Sequence, residues 1–352
     1  MKAAVWYGRK DVRVVDVPEP PTPGEGWVKV KVKWCGICGS DLHEYLAGPI
    51  FIPVSAPDAL TGSKAPIILG HEFSGEVVEI GPGVKNVQLG DRVAPDACQV
   101  CWECYHCKRM NYSMCEKLAF TGLMTDGAFA EYVNVPAYTL YKIPDDMSYE
   151  VAAVIEPIAV GIHAVRKAPV IEGDIVVVLG AGTIGLATLQ AAKAAGASKV
   201  YVIEMAKARK EYALNMGATA VFDPREVDVV AKIKELTDGL GADITFECIG
   251  NEKTAPLAIQ LARKMGKVVM VGIFERESTF NFFEVTANEK EIIGSLAYNG
   301  EFSTAIALMN DGRIQGEPMI TGKIKLEDII EKGFDELVNH KEENIKILVS
   351  PF

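Results

Sequence analysis

A glycine-rich turn near the middle of the chain constrains the fold more than any other segment. Residues 180–185 read Gly-Ala-Gly-Thr-Ile-Gly, between an apolar run at 174–179 and an alanine-rich helix predicted over 184–195. A GxGxxG turn between a strand and a helix is typical of a dinucleotide-binding βαβ unit, in which the backbone approaches a pyrophosphate and the helix N-terminus offers N–H groups to it. The predicted cofactor contacts are Gly180, Gly182, Thr183, Ile184 and Gly185.

Residues beyond the following strand favour NAD over NADP. Glu204 comes 19 residues after the last glycine of the turn, at the end of a strand predicted over 200–203. A carboxylate at this place can accept hydrogen bonds from both ribose hydroxyls and would repel a 2′-phosphate. Arg209, slightly further on, is a candidate contact for the adenosine side of the cofactor, with a solvated helix face as the alternative interpretation.

The rest of the chain predicts an α/β protein of two domains, in keeping with its 352 residues. Apolar strands predicted at 220–222, 244–248 and 267–271 alternate with helices, which indicates a doubly wound parallel sheet covered on both faces. The first third instead carries Val-rich alternating strands separated by Pro/Gly clusters, so it is predicted to be mainly β. We assign the β-rich domain to residues 1–157 and 295–352, and the cofactor domain to residues 158–294.

Charge and hydropathy exclude several classes of protein. Lys and Arg number 36 against 47 Asp and Glu, which gives a formal net charge of −11. An acidic chain is a poor binder of nucleic acid, whose phosphates are bound mainly by Lys and Arg. The longest apolar runs are too short to cross a bilayer, and the first residues lack the apolar core of a signal peptide. We therefore expect a cytoplasmic protein with neither nucleic acid nor membrane as a partner.

The cysteines cluster in a way that indicates metal binding. Seven of the eight lie between positions 35 and 115, and four of these form a CxxCxxCx7C loop at Cys101, Cys104, Cys107 and Cys115. Four thiolates in one compact loop suit a closed, tetrahedral structural zinc site, here within a lobe at 98–115. A register that uses Cys98 and omits Cys107 or Cys115 is the alternative.

A second group of residues has the chemistry of a catalytic metal site. Cys38 and His71 are side chains that suit zinc, and a catalytic zinc needs three protein ligands and an open position. The third ligand could come from Glu72 or Glu156, because both are acidic residues with apolar neighbours and such residues need a partner. The alternative for each glutamate is a buried structural carboxylate.

These motifs together resemble the zinc-dependent medium-chain alcohol dehydrogenase family over essentially the full length of the chain. The resemblance is carried by GICGSDLH at 36–43, GHEFSGEVVEIGPGV at 70–84, the four-cysteine loop, DGAFAEY at 126–132 and the glycine turn. It implies a GroES-like catalytic domain and a Rossmann cofactor domain. It also implies one catalytic and one structural zinc ion per chain, with NAD as the cofactor.

The resemblance also implies roles for individual residues. Cys38, His71 and Glu156 would bind the catalytic zinc, and Glu72 would be a transient ligand that helps to exchange water. Asp41 would orient the ring of His71. A proton would pass from Ser40, through the nicotinamide ribose, to His43. The structural zinc would be held by Cys101, Cys104, Cys107 and Cys115.

Within the family, the chain resembles the polyol branch, because Glu156-Pro157 stands where ethanol-type enzymes carry a cysteine ligand. The insertion at 45–62 is similar to that of members acting on 2,3-butanediol, so the resemblance implies NAD-dependent interconversion of this diol and acetoin. The loop at 48–66 is then expected to line or cap the pocket. Sorbitol, xylitol or threonine as substrate is the alternative, and a non-catalytic NAD- and zinc-binding homologue is a further one. The family also suggests a homodimer or homotetramer, formed through edge strands around 274–283.

Overall fold

The computed structural model describes residues 1–352, which divide into two compact units. The first unit comprises Met1–Glu156 and Ile320–Phe352, and the second comprises Pro157–Met319. The sequence analysis had assigned residues 295–319 to the β-rich domain, whereas here they lie in the second unit. Side-chain bonds hold them there: Gln190 both donates to and accepts from the backbone of Gln315, and Glu301 pairs with His163.

The strands and helices follow the predicted order of a β-rich part, an alternating part and a return to the β-rich part. The strands are β1 (Lys2–Gly8), β2 (Asp11–Asp16), β3 (Trp27–Gly36), β4 (Ile67–Ile68), β5 (Glu72–Ile80), β6 (Arg92–Pro95), β7 (Cys98–Gln99), β8 (Ala119–Phe120), β9 (Tyr132–Pro136), β10 (Leu140–Lys142), β11 (Ile175–Leu179), β12 (Lys199–Ile203), β13 (Ala220–Phe222), β14 (Ala242–Glu247), β15 (Ala262–Met270), β16 (Glu291–Gly294), β17 (Ile320–Lys325) and β18 (Lys346–Ser350). The α-helices are α1 (Gly39–Ala47), α2 (Tyr149–Ala152), α3 (Ile155–Lys167), α4 (Thr183–Ala194), α5 (Lys207–Asn215), α6 (Val229–Glu235), α7 (Thr254–Leu261), α8 (Phe283–Thr286), α9 (Phe302–Asn310) and α10 (Asp335–Asn339). Short 3₁₀ helices lie at Cys107–Arg109, Tyr112–Met114, Ala137–Thr139, Glu317–Met319 and Leu326–Asp328, and a π-helix lies at Ile329–Phe334.

Strand β3 organises the first unit. It pairs with β5, β9 and β18 in a seven-stranded sheet ordered β10-β6-β5-β3-β18-β17, with β9 off this path. Its alternating valines Val28, Val30 and Val32 are fully buried in the main core of this unit, as the sequence pattern predicted. Gly36 at the end of β3 pairs with Glu72 on one side and Leu348 on the other. The end of β3 and the start of β5 therefore meet beside the middle of β18, and α1 begins three residues after Gly36.

The second unit is the predicted doubly wound sheet. Its six strands are all parallel and lie in the order β13-β12-β11-β14-β15-β16, which is 3-2-1-4-5-6 when they are numbered within this unit. That order places a topological switch point at the carboxyl ends of β11 and β14, where dinucleotides bind in such sheets. The apolar run of β11 is buried on both faces, since Val176, Val177, Val178 and Leu179 are all inaccessible to solvent.

Two predicted elements differ from the structure. The segment at 274–283, predicted to supply edge strands, contains no strand, because it is rich in charged and polar residues and ends in a turn in which the Asn281 side chain accepts the Phe283 N–H. The sheet edge on this side is β16 instead. The helix predicted over 326–339 is divided into a 3₁₀ helix, a π-helix and α10. No helix in the structure is both long enough and apolar enough to span a lipid bilayer.

Candidate active site and metal centres

Cys38, His71 and Glu72 form a compact set of donors in the first unit. One ligand atom from each lies within 4.8 Å of the others. Cys38 directly precedes α1, and Glu72 begins β5 opposite Gly36, so the meeting of strand ends brings the three residues together. The sequence analysis predicted Cys38 and His71 as ligands and left the third open between two glutamates. The structure brings Glu72 into the set.

Glu156 lies just outside this set. It belongs to the first turn of α3, is 8% exposed, and is not among the three donors. Its carboxylate is nevertheless close enough to raise the pKa of Cys38, although less than burial and Glu72 do. Glu156 therefore borders the donor set as an adjacent negative charge.

The ring of His71 is held between two polar side chains of α1. Its Nε2 is 3.1 Å from the Ser40 hydroxyl oxygen, and its Nδ1 is 3.6 Å from Asp41 Oδ1. The other oxygen of Asp41 accepts the backbone N–H of Cys38 at 2.9 Å, whereas Oδ1 and His71 Nδ1 face each other without a hydrogen bond. Burial raises the pKa of Asp41 to about 6, against the opposing effect of His71. His43 follows three residues after Ser40 on α1 and is half-buried.

Glu72 has a buried cationic partner that the sequence analysis missed. Lys346 Nζ donates to both carboxylate oxygens, at 2.8 and 2.5 Å, and to the carbonyl oxygen of Ile37 at 2.8 Å. Burial lowers the pKa of Lys346, but Glu72 and other acidic groups raise it above its usual value overall. The sequence offered one sign that Lys346 needs a partner, since it is the only charged residue of β18. The partner itself lies 274 residues away in the chain.

The chemistry of this donor set fits a zinc ion. Burial raises the pKa of the Cys38 thiol well above its usual value, and Glu72 raises it further, whereas Lys346 lowers it. A thiol beside several carboxylates in a site largely shielded from water is energetically unfavourable unless a cation neutralises their negative charge. A divalent ion would lower the pKa of Cys38 and keep its sulfur as a thiolate, which is the form that binds zinc.

The four predicted cysteines of the loop converge on a second point. One sulfur from each of Cys101, Cys104, Cys107 and Cys115 lies within 4.8 Å of the others. The sulfurs of Cys101 and Cys115 are 3.5 Å apart, which is too far for a disulfide bond of about 2.05 Å but close to the spacing around a tetrahedral zinc with Zn–S bonds of about 2.3 Å. The alternative register is not adopted, because Cys98 lies in β7 outside the group.

Backbone N–H groups of the loop point at these sulfurs, as a thiolate site requires. The N–H of Cys107 donates to the sulfur of Cys104 at 3.5 Å and lowers the pKa of Cys104 to about 6. The N–H groups of Cys101 and Lys117 both donate to Cys115 at 3.4 Å. Burial raises the pKa of Cys107 to about 12. The loop thus combines anion-stabilising donors with the sulfur spacing that a structural zinc needs.

The glycine turn of the second unit has the predicted form. Gly180 has a φ of +93°, which glycine adopts readily, and a Cβ on Gly185 would overlap the carbonyl oxygen of Gly180. A Cβ on Gly182 would meet only Arg209 Nη1, 3.5 Å away, so the space before the turn stays open. Thr183 and Ile184 begin α4, and their N–H groups lie at its N-terminal end.

Glu204 lies beside this turn and faces a cavity. Its carboxylate accepts the backbone N–H of Ala181 at 2.8 Å and those of Met205 and Ala206 at 2.7 and 2.9 Å. The cavity has a volume of about 460 Å³ and mainly apolar walls, suited to a flat aromatic ring, formed by Leu179, Ile203, Met205, Pro224, Ile249 and Leu257. The predicted contacts in the glycine turn, Glu204 and Arg209 therefore surround one region of the second unit.

Comparison with known proteins assigns both halves of the chain to described families. Residues 24–145 match the alcohol dehydrogenase GroES-like domain family, and residues 183–311 match the zinc-binding dehydrogenase family. The resemblance inferred from the motifs is thereby confirmed, as is the predicted pairing of a GroES-like domain with a Rossmann domain.

Similarity to individual proteins extends over the full chain. The (R,R)-butanediol dehydrogenase of Bacillus subtilis is 43% identical over 353 residues, with 100% of each chain covered. The protein of the same name from Neisseria gonorrhoeae is 38% identical and covers 100% of this chain and 99% of its own. The crystal structure of 2R,3R-butanediol dehydrogenase from Bacillus subtilis superimposes with a TM-score of 0.93, at 43% identity, and covers 100% of this chain and 99% of its own.

Proposed function

This chain belongs to the zinc-binding alcohol dehydrogenase family, and we propose that it catalyses the reversible, NAD-dependent oxidation of 2,3-butanediol to acetoin. The observation that carries the proposal is the compact, largely buried donor set of Cys38, His71 and Glu72 beside the Ser40 hydroxyl. The choice of substrate is supported by full-length similarity to proteins named (R,R)-butanediol dehydrogenase.

We assign Cys38, His71 and Glu72 as the protein ligands of the catalytic metal, in place of the set with Glu156 that the resemblance implied. This choice is supported by the clustering of their donor atoms. When bound, zinc acts as a Lewis acid that lowers the pKa of an alcohol and polarises a carbonyl, and NAD accepts or returns the hydride. The four-cysteine loop would hold a second, structural zinc ion.

The chain's own residues then orient the site and move the proton. Asp41 Oδ1, 3.6 Å from Nδ1 of His71, would orient the ring of this ligand, and the Ser40 hydroxyl lies 3.1 Å from Nε2. The Ser40 hydroxyl is the first acceptor of the proton from the substrate. His43, three residues later on α1, takes the proton onward to solvent.

In the second unit, we assign the pyrophosphate to the glycine turn and the N-terminus of α4, through Gly180, Gly182, Thr183, Ile184 and Gly185. Glu204 is assigned to the adenosine ribose and Arg209 to the adenosine side. A carboxylate at the ribose supports NAD over NADP. We further propose a cytoplasmic homo-oligomer, supported by the open sheet edge at β16 and, separately, by the exposed Phe282 and Phe283 at the start of α8, which are 68% and 70% exposed.

The test is to mix zinc-loaded protein with NAD and, separately, with (R,R)-, meso- and (S,S)-2,3-butanediol, sorbitol, xylitol and threonine, and to follow NADH by absorbance. We expect the response to be led by (R,R)- or meso-butanediol. If sorbitol, xylitol or threonine gives the strongest response, the protein is a zinc-dependent dehydrogenase but 2,3-butanediol is not its main substrate. No response from protein shown to hold zinc and NAD would favour a non-catalytic role.

A further inference from the structure

Glu44 is a fully buried carboxylate that the proposed reaction does not use. It lies on α1, one residue after His43, and has 0% exposure. Its carboxylate oxygens accept hydrogen bonds only from backbone N–H groups. The donors are Ile50, at 3.1 and 3.0 Å to the two oxygens, Ile52 at 3.1 Å, and Phe51 through a short bond.

Three consecutive N–H groups around one carboxylate form a strong local restraint. A buried charge without partners is costly, so the segment at 50–52 must stay wrapped around Glu44 for the charge to remain stable. The main chain of Glu44 adds to this, because its carbonyl oxygen accepts the N–H of Gly48 at 3.1 Å and Trp6 Nε1 at 3.0 Å. A Cβ on Gly48 would overlap both the carbonyl oxygen and Oε2 of Glu44, so the loop leaves the helix through a glycine.

Helix geometry places this restraint next to the donor set. Ser40 and Glu44 are four residues apart on α1 and are both buried, so they lie on the same face, about one turn of 5.4 Å apart. The Ser40 hydroxyl is 3.1 Å from Nε2 of His71. The residue that binds the N–H groups of 50–52 therefore lies one helical turn from Ser40, whose hydroxyl contacts the donor His71.

The rest of the loop at 48–66 is anchored independently of Glu44. Asp58 Oδ1 accepts the N–H groups of Leu60 and Thr61 at 2.9 and 2.8 Å, and the Thr61 hydroxyl donates to the Met124 carbonyl oxygen at 2.8 Å. Ile52 is 3% exposed and belongs to the main core of the first unit. Segment 50–52 is thus held by two features, the Ile52 side chain in the core and the Glu44 carboxylate that accepts its N–H groups.

We propose that Glu44 is a positioning residue that holds segment 50–52 against the Ser40 end of α1 as a wall of the substrate site. The inference rests on the proposed function, because it takes the alcohol to bind beside Ser40. Its chemical basis is one carboxylate shared by three consecutive backbone donors, which fixes the backbone of 50–52 in addition to the burial of Ile52.

The test uses Glu44→Gln in the zinc-loaded, full-length protein, with two readouts. The amide retains the shape but loses the charge and presents N–H groups to backbone donors, so hydrogen exchange at the amides of Ile50, Phe51 and Ile52 should become at least about tenfold faster. The KM for (R,R)-2,3-butanediol should rise by about fivefold or more while kcat stays within about twofold, because the interaction lost is one that binds substrate and transition state equally. Zinc content should not change.

The control is Asp91→Asn, which removes the same charge from a carboxylate that accepts a backbone N–H, that of Gln88, outside α1 and the loop. It should leave the exchange at 50–52 and the KM unchanged. If Glu44→Gln does not fold, Glu44→Asp retains the charge with a shorter reach and should show the same changes at smaller size.

Exchange at 50–52 that is unchanged in Glu44→Gln would overturn the restraint itself. Faster exchange with an unchanged KM would overturn its role in the substrate site. If the wild type does not oxidise 2,3-butanediol, the proposed function fails. The exchange at these three amides would then still decide whether Glu44 holds the loop.

Discussion

Glu72 and Glu156 are both buried acidic residues close to Cys38, but their surroundings differ. Glu72 begins β5 opposite Gly36, and Lys346 binds both of its oxygens. Glu156 begins α3 and lies outside the three-donor set. A metal ligand must bring its donor atom to the same point as the others, so position rather than residue type distinguishes the two glutamates.

This difference predicts unequal effects on metal content. Glu72→Gln should lower the affinity for the catalytic zinc by more than about 100-fold, whereas Glu156→Gln should cost about tenfold at most, as for a residue that only borders the site. Zinc per chain is measured by mass spectrometry after dialysis against a weak chelator, and Glu72→Gln should retain only the zinc of the four-cysteine loop. If Glu156→Gln loses more of the catalytic zinc than Glu72→Gln does, Glu156 is the third ligand instead.

For individual residues, the sequence predicts which side chains could bind a metal better than it predicts which side chains pair with one another. Cys38 and His71 were predicted as ligands from residue type and local motif, and the structure brings their donor atoms together. Lys346 was not predicted, because its partner Glu72 is 274 residues away and the contact depends on how β18 pairs with β3. The same limit applies to Glu44, whose role appears only once the loop at 50–52 is seen to fold around it.

The four-cysteine loop has almost no core of its own. Its buried cluster consists of Val100, Cys107 and Cys115, with a few partly buried neighbours. So small a group of apolar side chains cannot hold a loop in one conformation, and the proposed structural zinc would supply the missing free energy.

Loss of one thiolate should therefore release the metal and destabilise the protein. We predict that Cys104→Ser loses the structural zinc and unfolds at a temperature lower by roughly 5 °C or more, measured by calorimetry together with metal analysis. Cys98→Ala is the matched control, since this buried cysteine lies outside the sulfur cluster. Equal zinc loss in both variants would support the register that uses Cys98.

The glycine turn and Glu204 form one element of the proposed cofactor site. Glu204 fixes the turn through the Ala181 N–H and also faces the cavity. Glu204→Gln retains an oxygen for Ala181 but removes the charge that would repel a 2′-phosphate. The preference for NAD over NADP, measured as the ratio of kcat/KM values, should narrow by about tenfold. The control is Glu226→Gln, which removes an exposed charge from the same unit and should leave the ratio of kcat/KM values unchanged. If Glu204→Gln also leaves this ratio unchanged, Glu204 does not contact the ribose.

For the whole molecule, the sequence predicts the architecture of each unit well. The alternation of apolar runs and helices predicted a doubly wound sheet, and the second unit has six parallel strands in the order β13-β12-β11-β14-β15-β16. The boundary near residue 295 was harder to predict, because 295–319 is held to α4 by a single side chain, Gln190, and to α3 by Glu301. Such contacts leave no periodic signal in the sequence. The edge strands at 274–283 were expected from the family resemblance and are absent, because charged neighbours and the turn formed by the Asn281 side chain lead the chain into α8.

The central claim is that the site around Cys38 oxidises 2,3-butanediol with NAD. The most direct measurement compares NADH formation from NAD and (R,R)-2,3-butanediol by zinc-loaded wild-type protein and by Cys38→Ser, after both are shown to bind NAD equally. We predict turnover by the wild type and a fall of about 1,000-fold or more in Cys38→Ser, since the catalytic metal supplies most of the activation of the alcohol. Wild-type protein that holds zinc and NAD but forms no NADH, or a Cys38→Ser variant as active as the wild type, would contradict it.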